Sequence, residues 1–216
     1  YEWPTARISH AIVPLPVPVG FWRSVGHAHQ AFFKESFVDE AAHVAGQDPL
    51  AFRLALLQNH PRHAAVLRKA AELAGWGQPL APAADGAPRA RGIALHHSFG
   101  SIVAQVAEVS VDPADAKRIR VHRVVAAIDC GTAINPNHIR QQMESAVVFG
   151  LSAALYGEVT LEAGQVQQTN FHDQPLLRGA DCPVIETTIL PSTLPPEGVG
   201  EPRTPPIAPA VANALF

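Results

Sequence analysis

The run Gly198-Val199-Gly200-Glu201-Pro202 places one carboxylate between glycines, which let backbone approach a ligand closely, and a proline, which fixes φ. A carboxylate held in that way suits a general base. The same run also suits a solvated, unreactive loop acid, because most exposed glutamates do no chemistry. Three further groups have useful types and spacing. In Trp22-Arg23-Ser24-Val25-Gly26 the guanidinium can fork two hydrogen bonds to an anion while Ser24 and Gly26 let backbone amides reach the same group. An ordinary surface arginine fits that turn equally well. Gln141 and Gln142 open a long helical pattern, where an amide donates and accepts without adding charge. Asp129-Cys130-Gly131 ends a strand pattern ahead of a capped helix, so Cys130 stands near a ligand at the helix N-terminus or is a small buried core residue.

Histidine is abundant at 11 residues, and His27-Ala28-His29 with His96-His97 invites a metal reading. The spacing argues against it. His27 and His29 diverge on a helix, adjacent strand histidines face opposite ways, and neither HExxH nor paired CxxC accompanies them. The two cysteines, Cys130 and Cys182, also lack CxxC spacing, which argues against a zinc ribbon or a cluster held by this chain alone and leaves a single disulfide open. No GxSxG elbow appears, and Ser98-Phe99-Gly100-Ser101 lacks the strand, elbow and helix of a nucleophilic serine.

The elements that must position these groups follow from periodicity. Residues 1–20 read as extended chain ending in Gly20. Phe33, Phe37, Ala41 and Val44 recur at helical spacing from about Gln30 to Ala45, with Glu35, Asp39 and Glu40 on polar faces and Gly46 as the stop. Asp48-Pro49 caps a second helix to Gln58, and a third runs from His63 to Ala74. Residues 77–91 form a linker, and beyond it the period becomes two. Gly92–His97, Ser101–Val111 and Arg118–Asp129 are predicted antiparallel strands, with a turn at Asp112-Pro113-Ala114-Asp115. Ile139, Met143, Val147, Leu151 and Leu155 define a long buried helix capped by Asn135-Pro136. A hairpin at 159–168, a strand at 184–190, a proline-rich loop bearing Glu201 and a last apolar helix complete an α+β chain, a mixed or antiparallel sheet packed with helices. Its expected divisions are 1–76, 77–91 and 92–216.

An apolar content of 47% with 16% charged residues describes a well-buried globule without a membrane-spanning segment, and a net charge of -3 supplies no basic field for nucleic acid. The 20 prolines cluster at 14–18, 191–196 and 202–209, which marks loops rather than a low-complexity tract. The chain opens without methionine and closes in a helical pattern, so a piece of a longer polypeptide is expected. The compartment, cytoplasmic or periplasmic, is left open.

Four blocks in one order resemble the molybdenum-binding subunit of the xanthine dehydrogenase and aldehyde oxidase family, the nearest branch being that of isoquinoline 1-oxidoreductase beta subunits. They are Trp22 to His27 with Glu35 and Asp39-Glu40-Ala41; Gly46 to Arg53; Asp129-Cys130-Gly131 through Asn135-Pro136 to Gln142-Met143-Glu144; and Gly198 to Pro202. The resemblance implies the C-terminal portion of the large subunit and the family's cofactor-binding fold. It implies hydroxylation of an N-heterocycle or an aldehyde with oxygen from water, on a molybdenum-molybdopterin cytosine dinucleotide. Glu201 is then the general base, Arg23, Ser24, Gln142, Val199 and Gly200 lie at the cofactor, and no side chain ligates the metal. Electrons would leave through a small subunit holding 2Fe-2S clusters. Val25, standing where the xanthine branch has an aromatic residue, and Arg203, at the substrate entrance, imply a different pocket. The family's Gly-Gln-Gly block is absent, and Ser145 replaces a glycine, so the isolated piece is expected to be inactive. The competing reading is a docking segment for the iron–sulfur subunit without a catalytic role.

Overall fold

The computed structural model describes residues 1–15, 17 and 19–216; residues 16 and 18 of the expected extended segment lie outside the described residues. Three helices come first: α1 (Gly26–Val44), α2 (Pro49–Ala55) and α3 (Pro61–Ala74). Strands β1 (Arg89–Ser98), β2 (Ser101–Asp112) and β3 (Asp115–Asp129) follow, then α4 (Pro136–Tyr156), the short pair β4 (Leu161–Glu162) and β5 (Gln165–Val166), strand β6 (Val184–Ile189) and α5 (Ile207–Leu215). The main sheet has the order β1-β2-β3-β6, antiparallel except that β6 runs parallel to β3. Strand β6 can be parallel because α4 and the 157–183 segment supply the long crossover that such pairing requires.

Alternation along the strands buries both faces of the sheet. Ile93, Leu95, Ile102, Ala104, Val106, Val125 and Ala127 face α3, where Val66, Leu67, Ala70 and Ala74 close one core. Ala94, Ala107, Val109, Val121 and Val124 face the other way, onto Val147 and Leu151 of α4 and Ile207, Ala210 and Val211 of α5. The register steps between Glu108 and Val109, opposite Arg123 and Val121, so a bulge at His122 shifts the β3 residues facing α4 and α5 from odd (Ile119, Val121) to even (Val124). One turn joins β1 to β2 through Phe99 (φ 51) and Gly100 (φ 78), the paired positive φ angles of a two-residue hairpin.

Helix α4 buries Ile139, Met143, Val147 and Leu151, four of the five positions that its periodicity selects. Helix α1 differs from its sequence pattern. Its buried positions are Ala31, Glu35, Val38, Asp39 and Ala42, while Phe33 and Phe37 remain 65% and 62% exposed. The reason is Arg53, wholly buried, whose Nε donates to Glu35 Oε2 at 3.2 Å and whose Nη1 donates to Asp39 Oδ1 at 2.8 Å. The same Glu35 oxygen accepts the Leu95 amide of β1 at 2.9 Å and the Tyr1 hydroxyl at 3.0 Å. A buried ion network in which Arg53 pairs both carboxylates outcompetes the phenylalanine face for the interior. The two cysteines are free, Cys130 buried and Cys182 exposed, so the disulfide left open by the sequence does not form. Among the described residues, no helix is long and apolar enough to cross a membrane.

Candidate active site

The loop after β6 is tied down before it reaches Glu201. Thr132 donates its amide to the Leu194 carbonyl at 2.8 Å, Glu197 to Cys130 at 2.9 Å and Gly198 to Phe99 at 3.0 Å. Ser101 Oγ adds a bond to the Gly198 carbonyl at 2.6 Å. Three ends of the sheet thus hold a segment that contains no regular structure of its own.

Glu201 is gripped by the turn that precedes α1. The Ser24 amide donates to Glu201 Oε1 at 3.0 Å, and the Ser24 hydroxyl donates to the Glu201 carbonyl at 2.6 Å. Ser24 and Val25 adopt φ of 76° and 45°, unusual for a serine and costly for a β-branched residue. That strain aims the Ser24 amide outward at the carboxylate. Glu201 is half-buried, and its Oε2 takes no hydrogen bond among the described residues.

Arg23 fastens the same loop to α4. Its Nε donates to the Gly200 carbonyl at 2.9 Å, Nη2 reaches that carbonyl and also Gln142 Oε1 at 2.9 Å, and Nη1 reaches Ser145 Oγ at 3.2 Å. Burial pushes the Arg23 guanidinium below its ordinary pKa, and the Glu201 charge partly offsets this. Segments separated by more than a hundred residues therefore meet here, with Arg23, Ser24, Gln142, Gly200 and Glu201 in one constellation. Val199, half-buried, packs against the cluster of Val103, Ile128, Cys130, Ile139 and Met143, and Val25 stands 41% exposed at the start of α1.

Arg203 does not stand at an entrance. Its side chain is wholly buried, Nη1 donates to the Ile139 carbonyl of α4, and its carbonyl accepts from Gln105 Nε2 at 2.8 Å. Burial first, and then the charge of Arg23, lower its pKa to about 10. The chain direction forced by Pro202 and by the start of α5 turns this side chain inward. Cys130 is likewise a core residue, its thiol pushed up by burial with Arg203 opposing.

Ser145 was legible only as a departure from glycine, yet it is exposed and accepts from Arg23. The histidines separate as their spacing predicts: His27 turns to His96, His29 to Phe33, and His97 to His63 on the opposite face of β1. The His27 contact with His96 joins residues 69 apart and has no local signal in the sequence.

A molybdopterin cofactor-binding domain family matches residues 63–183, more than half of the chain. The chain belongs to that family, and its α+β fold is that of molybdenum hydroxylase cofactor-binding domains. It is 36% identical over 215 residues to the beta subunit of the isoquinoline 1-oxidoreductase of Brevundimonas diminuta, covering all of this chain and 27% of that protein. It is 33% identical over 230 residues to one of the nicotinate dehydrogenase subunits of Pseudomonas putida, covering all of this chain and 19% of that protein. The chain thus spans about a quarter or less of these relatives. The aldehyde oxidoreductase of Desulfovibrio gigas superposes with a TM-score of 0.58 over 90% of this chain and 39% of its own, at 12% identity, a likeness of fold.

The residues present fit a bound molybdopterin. A Cβ added at Gly200 would meet no atom within 4 Å, and its φ is not left-handed, so nothing inside the chain requires glycine there. The backbone at Gly200 is therefore open to a group approaching from outside the chain. Beside it stand the Arg23 charge, its guanidinium engaged with Gly200, Gln142 and Ser145, and the Gln142 amide, whose Nε2 donates to no group among the described residues and suits a polar ring system.

Proposed function

We propose that this chain is the part of a molybdenum hydroxylase large subunit that supplies the general base, Glu201, for hydroxylation of an aromatic N-heterocycle, or of an aldehyde, with oxygen from water. The observation that carries the reading is the double grip of Ser24 on Glu201, which orients one carboxylate oxygen and leaves Oε2 to accept a proton. Relatives named for isoquinoline and nicotinate, both N-heterocycles, and a third named as an aldehyde dehydrogenase support these two substrate classes. When bound, the molybdenum pterin, here in its cytosine dinucleotide form, supplies the electron acceptor and Lewis acid that no side chain provides.

The chain's own residues do the rest. Arg23 and Gln142 hold the cofactor side of the loop, with Val199 and Gly200 lining it; Ser24, wholly buried and bonded to Glu201, acts through that residue instead of touching the cofactor as its motif position implied. Glu201 Oε2 takes the proton from the attacking oxygen as it bonds to carbon, and the Ser24 amide stops the carboxylate rotating away. Val25, small and exposed, leaves room for a bicyclic substrate. Arg203 acts from beneath, as a buried positive charge under the Glu201 loop. A small subunit with 2Fe-2S clusters receives the electrons, and the naming of the isoquinoline and nicotinate relatives as subunits supports such an assembly.

The test is Glu201→Gln in the complete enzyme. It keeps cofactor content at wild-type level and lowers kcat by about a hundredfold or more, in line with the loss of a positioned general base. An unchanged rate at saturating substrate refutes the assignment.

A further inference from the structure

Lys34, His96 and His27 form a row that the chemistry above does not use. Lys34 Nζ lies 3.3 Å from His96 Nδ1, and His96 Nε2 lies 3.0 Å from His27 Nδ1. The hydrogens along this row can be placed by elimination. An ammonium has three donors and no lone pair. Lys34 donates to the Leu95 carbonyl at 3.2 Å and pairs by charge with Glu35 Oε1 at 3.3 Å; since it can only donate, His96 Nδ1 must accept from it. His96 is 6% exposed, and burial, reinforced by the charges of Lys34, His27 and His97, drives its pKa to about 3. Near neutral pH its ring carries one hydrogen, which therefore sits on Nε2 and is donated to His27 Nδ1. The hydrogen of His27 is then on Nε2.

His27 lies in the first turn of α1, its amide bonded to the Ser24 carbonyl at 3.0 Å. Its ring meets Phe99 edge-on at 5.2 Å, and the Phe99 carbonyl accepts from Gly198 of the Glu201 loop. The ring is half-buried, and Nε2 has no hydrogen-bond partner among the described residues. We propose that Lys34 and His96 lock His27 as the Nε2–H tautomer and so set an N–H donor beside the Glu201 loop, where it binds an uncharged acceptor atom of the substrate, a ring nitrogen or a carbonyl oxygen. The substrate contact rests on the proposed function; the tautomer does not. Lys34 and His96 are positioning residues, because they act only through His27.

Neutron diffraction from deuterium-exchanged crystals of the complete holoenzyme tests the lock directly. Deuterium is expected on Nε2 of both histidines and on neither Nδ1; deuterium on His27 Nδ1 overturns the proposal. Lys34→Met removes the donor that selects the His96 tautomer, so deuterium then divides between the two His27 nitrogens, and Lys34→Arg restores the single position. Wild-type placement in Lys34→Met overturns the role of Lys34. For the contact, His27→Phe raises KM by roughly two- to tenfold, the loss of one neutral hydrogen bond, with little change in kcat. His27→Gln, which keeps an N–H near the Nε2 position, recovers most of that loss. A KM for His27→Phe equal to wild type overturns the substrate contact. Failure of the Glu201 assignment is read separately, from the turnover of Glu201→Gln.

Discussion

Arg53→Met tests how α1, and with it the Ser24 grip on Glu201, is held in place. The Arg53 side chain is wholly buried and makes four hydrogen bonds: to Glu35 Oε2, to Asp39 Oδ1, to the Pro49 carbonyl at 3.1 Å and to the Glu35 carbonyl at 2.9 Å. Methionine fills similar volume but leaves buried Asp39 without its cation and Glu35 with only the half-exposed Lys34, so the expected loss is about 3–5 kcal/mol. For a chain of this size each kcal/mol lowers Tm by about 2–4 °C, which puts the fall at about 6–20 °C. The loss has a pH signature. Asp39 already has its pKa raised by burial, with Arg53 the main force opposing the shift. An acid whose folded pKa lies above its unfolded value favours folding when protonated, and that stability is lost as pH rises from the ordinary aspartate value, about 4, to the folded value. Removing Arg53 widens this window, so the deficit relative to wild type is smallest in acid and deepens toward neutral pH. Thermal denaturation followed by circular dichroism between pH 4 and 8 measures both effects. The triple change Glu35→Gln, Asp39→Asn, Arg53→Met should recover part of the loss, since it leaves no buried charge unpaired. A deficit below about 1 kcal/mol, or one constant across pH, refutes the account of this network.

Two further changes probe the frame around the site. Arg62 Nε donates to Asp129 Oδ2 at 2.8 Å, and this bond, ahead of the Gly131 amide, lowers the Asp129 pKa against a burial penalty. Arg62 is 40% exposed along its side chain, so Arg62→Gln costs about 1 kcal/mol or less after screening. Because the folded pKa is depressed, that difference is full above the ordinary aspartate value and disappears as pH falls through the folded one, which acid titration of stability will show. Gly92→Ala places a Cβ under 3.0 Å from both the Ala210 carbonyl oxygen and the Ala214 nitrogen, backbone that cannot turn aside. Helix α5 must move off β1 at a cost of about 1–3 kcal/mol or more, read as a lower urea midpoint; an unchanged midpoint would contradict the close packing of α5 on β1.

The sequence by itself determined the local elements and the residues capable of chemistry. Proline and asparagine caps set the start of α4, period-two alternation set β1 to β3, and Glu201 between glycine and proline was visible because short-range sterics write themselves into neighbouring residues. The family blocks also put Arg23, Gln142 and Glu201 in order along the chain, though order is not contact. Tertiary structure decided which faces turned inward. On α1 two helical faces competed, and Arg53, fourteen residues beyond Asp39, buried the one with carboxylates and left the phenylalanines outside. It decided that Arg203 points into the core and Ser145 toward Arg23, and it brought His27 to His96. These outcomes depend on pairing charges and hydrogen-bonding groups across long loops, where the cost of an unsatisfied buried group is set by whichever partner the fold delivers. No local pattern records that partner.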